Sequence, residues 1–200
     1  MNERLFTIPN LLSVSRILLI PIFLGMLIQN NKMGALIVFF IAASTDFLDG
    51  IAARLLNQKS NIGALLDPAG DKLLMTAGVI ALSLPSLSSP NVIPVWLTIA
   101  IIGRDLYIVW GAFMLYKRIN RKTFPPLITG KISTVCQMSV LVLILLLNSR
   151  DISAGFLIWF YLLTLIITLI SGIQYTHLGR HMAKFSAPSS SPNHISPNSP

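Results

Sequence analysis

Six apolar runs, each close to the length of a membrane span, govern what this chain can become. They extend from about Pro9 to Ile28, Met33 to Leu56, Ile62 to Leu84, Ile93 to Tyr116, Lys131 to Leu147 and Ala154 to about Tyr175. A helix needs about 20 residues to cross the hydrocarbon core of a bilayer, so each run is a candidate span. Breakers fall between them: NNK at Asn30–Lys32, LPSLSSPN at Leu84–Asn91, TFPP at Thr123–Pro126 and NSRD at Asn148–Asp151. Only 11% of the residues are charged, against about 25% in soluble domains, which excludes an ordinary soluble fold. The expectation is an all-α integral membrane protein with six transmembrane helices.

Charge orients that bundle. An even number of spans puts the N-terminus, the second-to-third and fourth-to-fifth connections and the C-terminus on one side. That side carries Arg4, Arg54, Lys59, Lys117, Arg118, Arg121, Lys122, Arg180 and Lys184, whereas the other carries Lys32 and Arg150. The asymmetry predicts cytoplasmic N- and C-termini. The formal charge of +8 does not point to nucleic acid, because the basic residues are scattered among apolar spans instead of gathered on a soluble face. Contact with anionic lipid headgroups accounts for it better.

Arg16 interrupts the first apolar run and no small-residue cleavage site follows, so the N-terminus does not read as a signal peptide. The segment IPNLLSVSRILLIP reads as an interfacial turn feeding the first span. Cys136 stands alone, so the chain has no disulfide framework. One membrane domain over residues 1–185 is expected, followed by a disordered Ser/Pro/Asn-rich tail at 186–200. The lack of an Arg-rich transit segment favours a bacterial cytoplasmic membrane.

Against this apolar background, Asp46, Asp49, Asp67 and Asp71 stand out. A charge at a helix centre costs about 2.5–3.5 kcal/mol on insertion scales, so four unpaired there would cost about 10 kcal/mol. Asp46 and Asp49 are three residues apart and share a helix face; Asp67 and Asp71, four apart, share another. The short connection between these helices makes them antiparallel, and the two carboxylate faces can meet near the cytoplasmic interface. Four carboxylates at one point repel unless cations lie between them. An oxygen-only donor set suits Mg2+ or Mn2+, and the lack of accompanying His or Cys argues against zinc. Gly50, Ala52, Ala53, Gly63, Ala64, Ala69 and Gly70 permit close backbone approach and leave room for a ligand. A structural alternative is a network paired to Arg54 and Lys72, which two bases against four acids leaves negative.

The pattern Asp46-x2-Asp49-Gly50-x2-Ala53-Arg54-x8-Gly63-x3-Asp67-x3-Asp71 resembles, without a gap, the signature of the CDP-alcohol phosphotransferases. The resemblance implies transfer of a substituted phosphate from a CDP-linked donor to an alcohol, with release of CMP. It implies that Asp46, Asp49 and Asp67 hold two metal ions, with Asp71 contributing to the second and acting as general base. It further implies that Gly50, Arg54 and Ser60 contact the cytidine diphosphate part of the donor. The donor expected for a chain set in lipid is CDP-diacylglycerol.

Two acceptors stay open. Arg104 and Lys131 are the candidate acceptor contacts. Phosphatidylglycerophosphate synthases show Arg-Glu where this chain has Arg104-Asp105, and a second arginine where it has Ala112. Arg-Asp is more similar to the CMP-forming cardiolipin synthases, whose acceptor is phosphatidylglycerol, and that acceptor is favoured over glycerol-3-phosphate. Ser133 departs from both patterns. Structural alternatives are an Arg104–Asp105 ion pair that orients helices and a snorkelling Lys131. A homodimer remains open. The rival from another class is a cation-coupled transporter, disfavoured because the acids cluster at one end and no inverted repeat is visible.

Overall fold

The computed structural model describes the backbone of residues 8–56, 63–119 and 128–185, with side chains at 14–45, 70–111, 113, 114 and 128–179. Six helices account for it: α1 (Ile8–Ile28), α2 (Lys32–Leu56), α3 (Gly63–Leu82), α4 (Val95–Ile119), α5 (Ile128–Ser149) and α6 (Leu157–Phe185). Among the described residues there is no strand. The Ser/Pro/Asn-rich tail at 186–200 lies outside the described residues.

Local chemistry sets the ends. The α1–α2 turn is a Schellman motif: Asn30 sits at φ 57°, Asn31 N–H donates to Met26 O at 2.9 Å and Asn30 N–H to Leu27 O at 3.0 Å. Asn31 then caps α2, its Oδ1 accepting from Gly34 N–H at 2.9 Å. The α5 end repeats the device, with Asp151 at φ 52° and Ile152 N–H donating to Leu147 O at 3.0 Å. Lys32 Nζ donates to Asp151 Oδ1 at 2.5 Å and ties these two turns together.

Helix α3 ends at Leu82 instead of Leu84, α5 spans Ile128–Ser149 instead of Lys131–Leu147, and three further expectations need correction. The segment from Ile8 is no separate interfacial turn; α1 runs unbroken through it, with Pro9 in the first turn, where a missing N–H costs nothing. The fourth helix begins at Val95 and not Ile93, because Pro94 biases its predecessor away from helical geometry and its carbonyl accepts from Thr98 N–H at 3.2 Å. The sixth continues ten residues beyond Tyr175. An apolar run ends where its residues turn polar, but a helix continues until a breaker, and the next proline is Pro188.

Helix α1 packs on α2 and α3, α5 bridges α2 and α6, and α4 leans on α6. The apolar core gathers Phe23 and Leu27 of α1, Phe39 and Ala42 of α2, Leu74, Val79 and Leu82 of α3, and Leu141, Ile144 and Leu145 of α5. The Phe23 and Phe39 rings meet at 5.5 Å. Gly78 lets α3 close on them: a Cβ there would lie 3.4 Å from both Phe39 and Leu141.

Helix α6 is inside-out by soluble standards. Ile158, Trp159, Leu163, Ile166, Leu169 and Ile173 are exposed, while Thr164, Thr168 and Ser171 are buried. Water does not favour such an arrangement; hydrocarbon does. Among the described residues, Ile128–Ser149 and Leu157–Gly179 are long and apolar enough to cross a membrane, and the parts of α1 and α2 with described side chains, Val14–Ile28 and Lys32–Thr45, are apolar as well.

Candidate active site

Helix register locates the aspartates. Phe23, Phe39 and Gly78 mark one level of α1, α2 and α3 through their mutual contacts. Seven residues toward the opposite end of the bundle, about 10 Å at 1.5 Å per residue, stand Arg16, Asp46 and Asp71. Seven residues are two turns with only about 20° of drift, so the faces that meet at the phenylalanines are the faces carrying these three positions. Continuing four residues further brings Asp67 on α3 to about the level of Gly50 on α2, beside Asp49. By helix register the four aspartate positions thus fall in one zone of the sequence of α2 and α3, within about one turn of each other along the helix axes.

Side chains are described for one of the four. Asp71 is half-buried and has an interaction partner. Asp46, Asp49, Gly50, Arg54 and Asp67 lie on helices whose side chains there fall outside the described residues, and Ser60 falls outside them altogether.

Arg16 has a place that its sequence context only hinted at. It is 0% exposed, the bulkiest of the fully buried side chains among the described residues, and it has an interaction partner. A buried cation requires a counter-charge, and α1 packs on both aspartate-bearing helices. An arginine inside an apolar run was the signal; the register shows which carboxylates share its level.

A second polar constellation joins α4, α5 and α6. Arg104 Nη1 donates to Asp105 Oδ1 at 2.6 Å, and Nη2 donates to Ser171 Oγ at 2.6 Å. The guanidinium lies over the Tyr175 ring, 5.8 Å from its centroid. Gly130 backs this cradle, since a Cβ there would come within 2.9 Å of Tyr175 Oη and 3.3 Å of Arg104 Nη2. Deeper in the bundle, Gln137 Nε2 donates to Ser133 Oγ at 3.2 Å and to Thr168 Oγ1 at 3.4 Å, and the two hydroxyls lie 3.3 Å apart. Lys131 is exposed and takes no part in the cradle's hydrogen bonds.

Helix register relates the two constellations. Leu141 touches the Gly78 level, and Gly130 lies eleven residues back along α5, which corresponds to position 67 on the parallel α3. Ser171 and Tyr175 were not singled out from sequence. The available signal was the spacing Thr164, Thr168, Ser171, Tyr175, polar at every third or fourth position of an apolar helix.

The sequence profile of the CDP-alcohol phosphatidyltransferases matches residues 6–170. This chain belongs to that family. A CDP-diacylglycerol–glycerol-3-phosphate 3-phosphatidyltransferase of Aquifex aeolicus (strain VF5) is 33% identical over 177 residues, covering 88% of this chain and 97% of the relative. One of the same name from Bacillus subtilis (strain 168) is 33% identical, covering 72% and 79%. A cardiolipin synthase (CMP-forming) of Homo sapiens is also 33% identical, covering 89% of this chain and 63% of its own length. Like other CDP-alcohol phosphatidyltransferases, the chain is therefore an enzyme of phospholipid synthesis.

CDP-alcohol phosphatidyltransferases generally depend on divalent metal. The residues present fit such an ion by chemistry. The aspartate-bearing parts of α2 and α3 carry carboxylates and no His or Cys, which is the oxygen-only set of a hard cation. Among the described residues no other cluster of His, Cys, Asp and Glu offers an alternative.

Proposed function

We propose that this enzyme transfers the phosphatidyl group of CDP-diacylglycerol to phosphatidylglycerol, forming cardiolipin and releasing CMP. In this reading an acceptor hydroxyl oxygen attacks the diacylglycerol-bearing phosphorus, the pyrophosphate P–O bond breaks, and CMP leaves with that oxygen. Asp71 takes the hydroxyl proton, since an alcohol is a poor nucleophile until a base is placed beside it. Gly50, Arg54 and Ser60 hold the cytidine diphosphate moiety. Two Mg2+ or Mn2+ ions held by Asp46, Asp49, Asp67 and Asp71 would supply charge stabilisation for the pyrophosphate and the departing CMP.

The observation that carries the acceptor assignment is the pairing of Arg104 with Asp105 at 2.6 Å. The guanidinium is already neutralised, and Ala112 stands where a second arginine would have added charge. A phosphomonoester such as glycerol-3-phosphate brings about two negative charges near neutral pH, like the phosphate of a phosphorylated side chain. The single charge of a phosphodiester lipid is the better match for a compensated cation. Glycerol-3-phosphate is the second reading, favoured by exposed Lys131 beside Gly130, which would add a free charge at the same level.

The six helices are taken as six spans with both termini cytoplasmic and the aspartates at the cytoplasmic end, in a bacterial cytoplasmic membrane. The apolar outward face of α6 and the basic bias of the loops support this placement. Residues 1–185 form the membrane domain, 186–200 a disordered tail, and a homodimer is compatible with the exposed apolar faces.

The test is CMP release from CDP-diacylglycerol by purified protein with Mg2+ or Mn2+, comparing the two acceptors. Release with phosphatidylglycerol and not with glycerol-3-phosphate is expected. The reverse result would assign the second reading.

A further inference from the structure

We infer that Ser171 and Tyr175 of α6, the latter packed against Gly130 of α5, are positioning residues that aim the Arg104 guanidinium at the acceptor. This rests on the reading of Arg104 as an acceptor contact; what it adds is that α6 sets the geometry of that contact.

An arginine side chain has several rotatable bonds, and its fork recognises an anion only when held in one plane. Asp105 alone does not hold it. Adjacent residues on a helix point about 100° apart, so Arg104 and Asp105 can stay paired while both swing. Ser171 supplies a fixed point on a different helix, its Oγ accepting from Nη2 at 2.6 Å. Tyr175, one turn further along the same face of α6, lies under the guanidinium plane. Together they restrain one nitrogen and one face.

Gly130 is the third part of the device. A Cβ at position 130 would lie 2.9 Å from Tyr175 Oη and 3.3 Å from Arg104 Nη2. Any side chain there would displace the Tyr175 hydroxyl and crowd the guanidinium. Arg104 Nε is buried without a hydrogen-bond partner, so the fork retains a donor that its protein partners do not use.

The geometry also separates positioning from general packing. Arg104, Ser171 and Gly130 belong to α4, α6 and α5, whereas the proposed donor contacts Gly50 and Arg54 belong to α2. A fault in the cradle should therefore be read in the acceptor and not in CDP-diacylglycerol.

The experiment measures KM for phosphatidylglycerol and for CDP-diacylglycerol, and kcat, in detergent-solubilised full-length protein. The variants are Ser171→Ala, Ser171→Thr, Gly130→Ala and Arg104→Lys. Loss of one hydrogen bond to a charged group should raise the acceptor KM about tenfold in Ser171→Ala. The donor KM should stay within about twofold of the parent, as expected for sites with no shared partner. Ser171→Thr, which keeps the hydroxyl, should restore the parent value, and Gly130→Ala should reproduce the Ser171→Ala pattern. If Arg104→Lys raises the acceptor KM while Ser171→Ala and Gly130→Ala do not, the positioning role is wrong and the acceptor reading of Arg104 stands. If Arg104→Lys leaves the acceptor KM unchanged, that reading itself fails. If Ser171→Ala raises both KM values and Ser171→Thr does not reverse it, the serine is a packing residue only.

Discussion

Asn148 Oδ1 on α5 accepts from both the backbone N–H and the side-chain Nδ2 of Asn91, at 2.9 and 2.8 Å. The bond pair joins residues 57 apart in sequence and pins the α3–α4 connection to the end of α5. Asn148 Nδ2 returns the contact to Asn91 O at 2.9 Å and to Ser88 Oγ at 3.0 Å, while Asn91 Oδ1 accepts from Ala154 N–H at 2.9 Å. Every amide atom of the two asparagines is used in a buried setting.

Replacing Asn148 should therefore be costly to the fold and not to the chemistry. Asn148→Ala leaves the Asn91 backbone N–H buried without an acceptor, although Asn91 Nδ2 keeps Ile152 O at 2.7 Å, and such an orphaned group costs about 1–3 kcal/mol. The network lies about 27 Å along α5 from Gly130, from 18 residues at 1.5 Å each. A clear fall in melting temperature is expected, with kcat within about twofold of the parent at low temperature. A large loss of kcat in protein that remains folded would contradict this separation.

Asp71→Asn keeps the size of the side chain and removes the carboxylate proposed as base and metal ligand. CMP release should fall by about 100-fold or more, the usual worth of a positioned acid or base. Folding, judged by size-exclusion profile and helical content, should be retained. Full activity would remove Asp71 from the reaction.

Arg16→Leu deletes a buried cation at the level of Asp46 and Asp71. Breaking one partner of a buried pair costs about 3–5 kcal/mol, mostly from the charge left behind. The variant should melt well below the parent. Because a cation bound only to the folded state stabilises it by mass action, Mg2+ or Mn2+ should recover more stability in the variant than in the parent. Equal metal-induced shifts in the two proteins would show that Arg16 does not balance the aspartates.

Lys32 and Asp151 are close, at 2.5 Å, but the Asp151 side chain is 78% exposed. Exposed pairs are worth about 0–1 kcal/mol. Asp151→Gly loses the pair yet relieves a non-glycine residue held at φ 52°, so the two effects oppose. The melting temperature should move by less than about 3 °C. A larger fall would mean that the bridge holds the two turns together.

The sequence by itself determined the helical class, the number of helices and the two aspartate pairs, because these depend on local periods. Run length sets a helix, and a spacing of three or four residues sets a shared face, whatever lies opposite. It read the ends less well, as α6 shows: hydropathy reports the surroundings of a helix, whereas its backbone continues until a residue forbids it. Only the tertiary structure decided which faces meet. Nothing local to Arg104 names Ser171, 67 residues away, or explains why a Cβ at position 130 would meet Tyr175 and Arg104. Nothing local to Arg16 places it at the level of Asp46 and Asp71. Those relations arise from the register between helices, which is fixed by close contacts such as Phe23, Phe39 and Gly78 at a different level of the bundle. A pattern along one helix specifies an orientation; a partner is specified only when two helices pack.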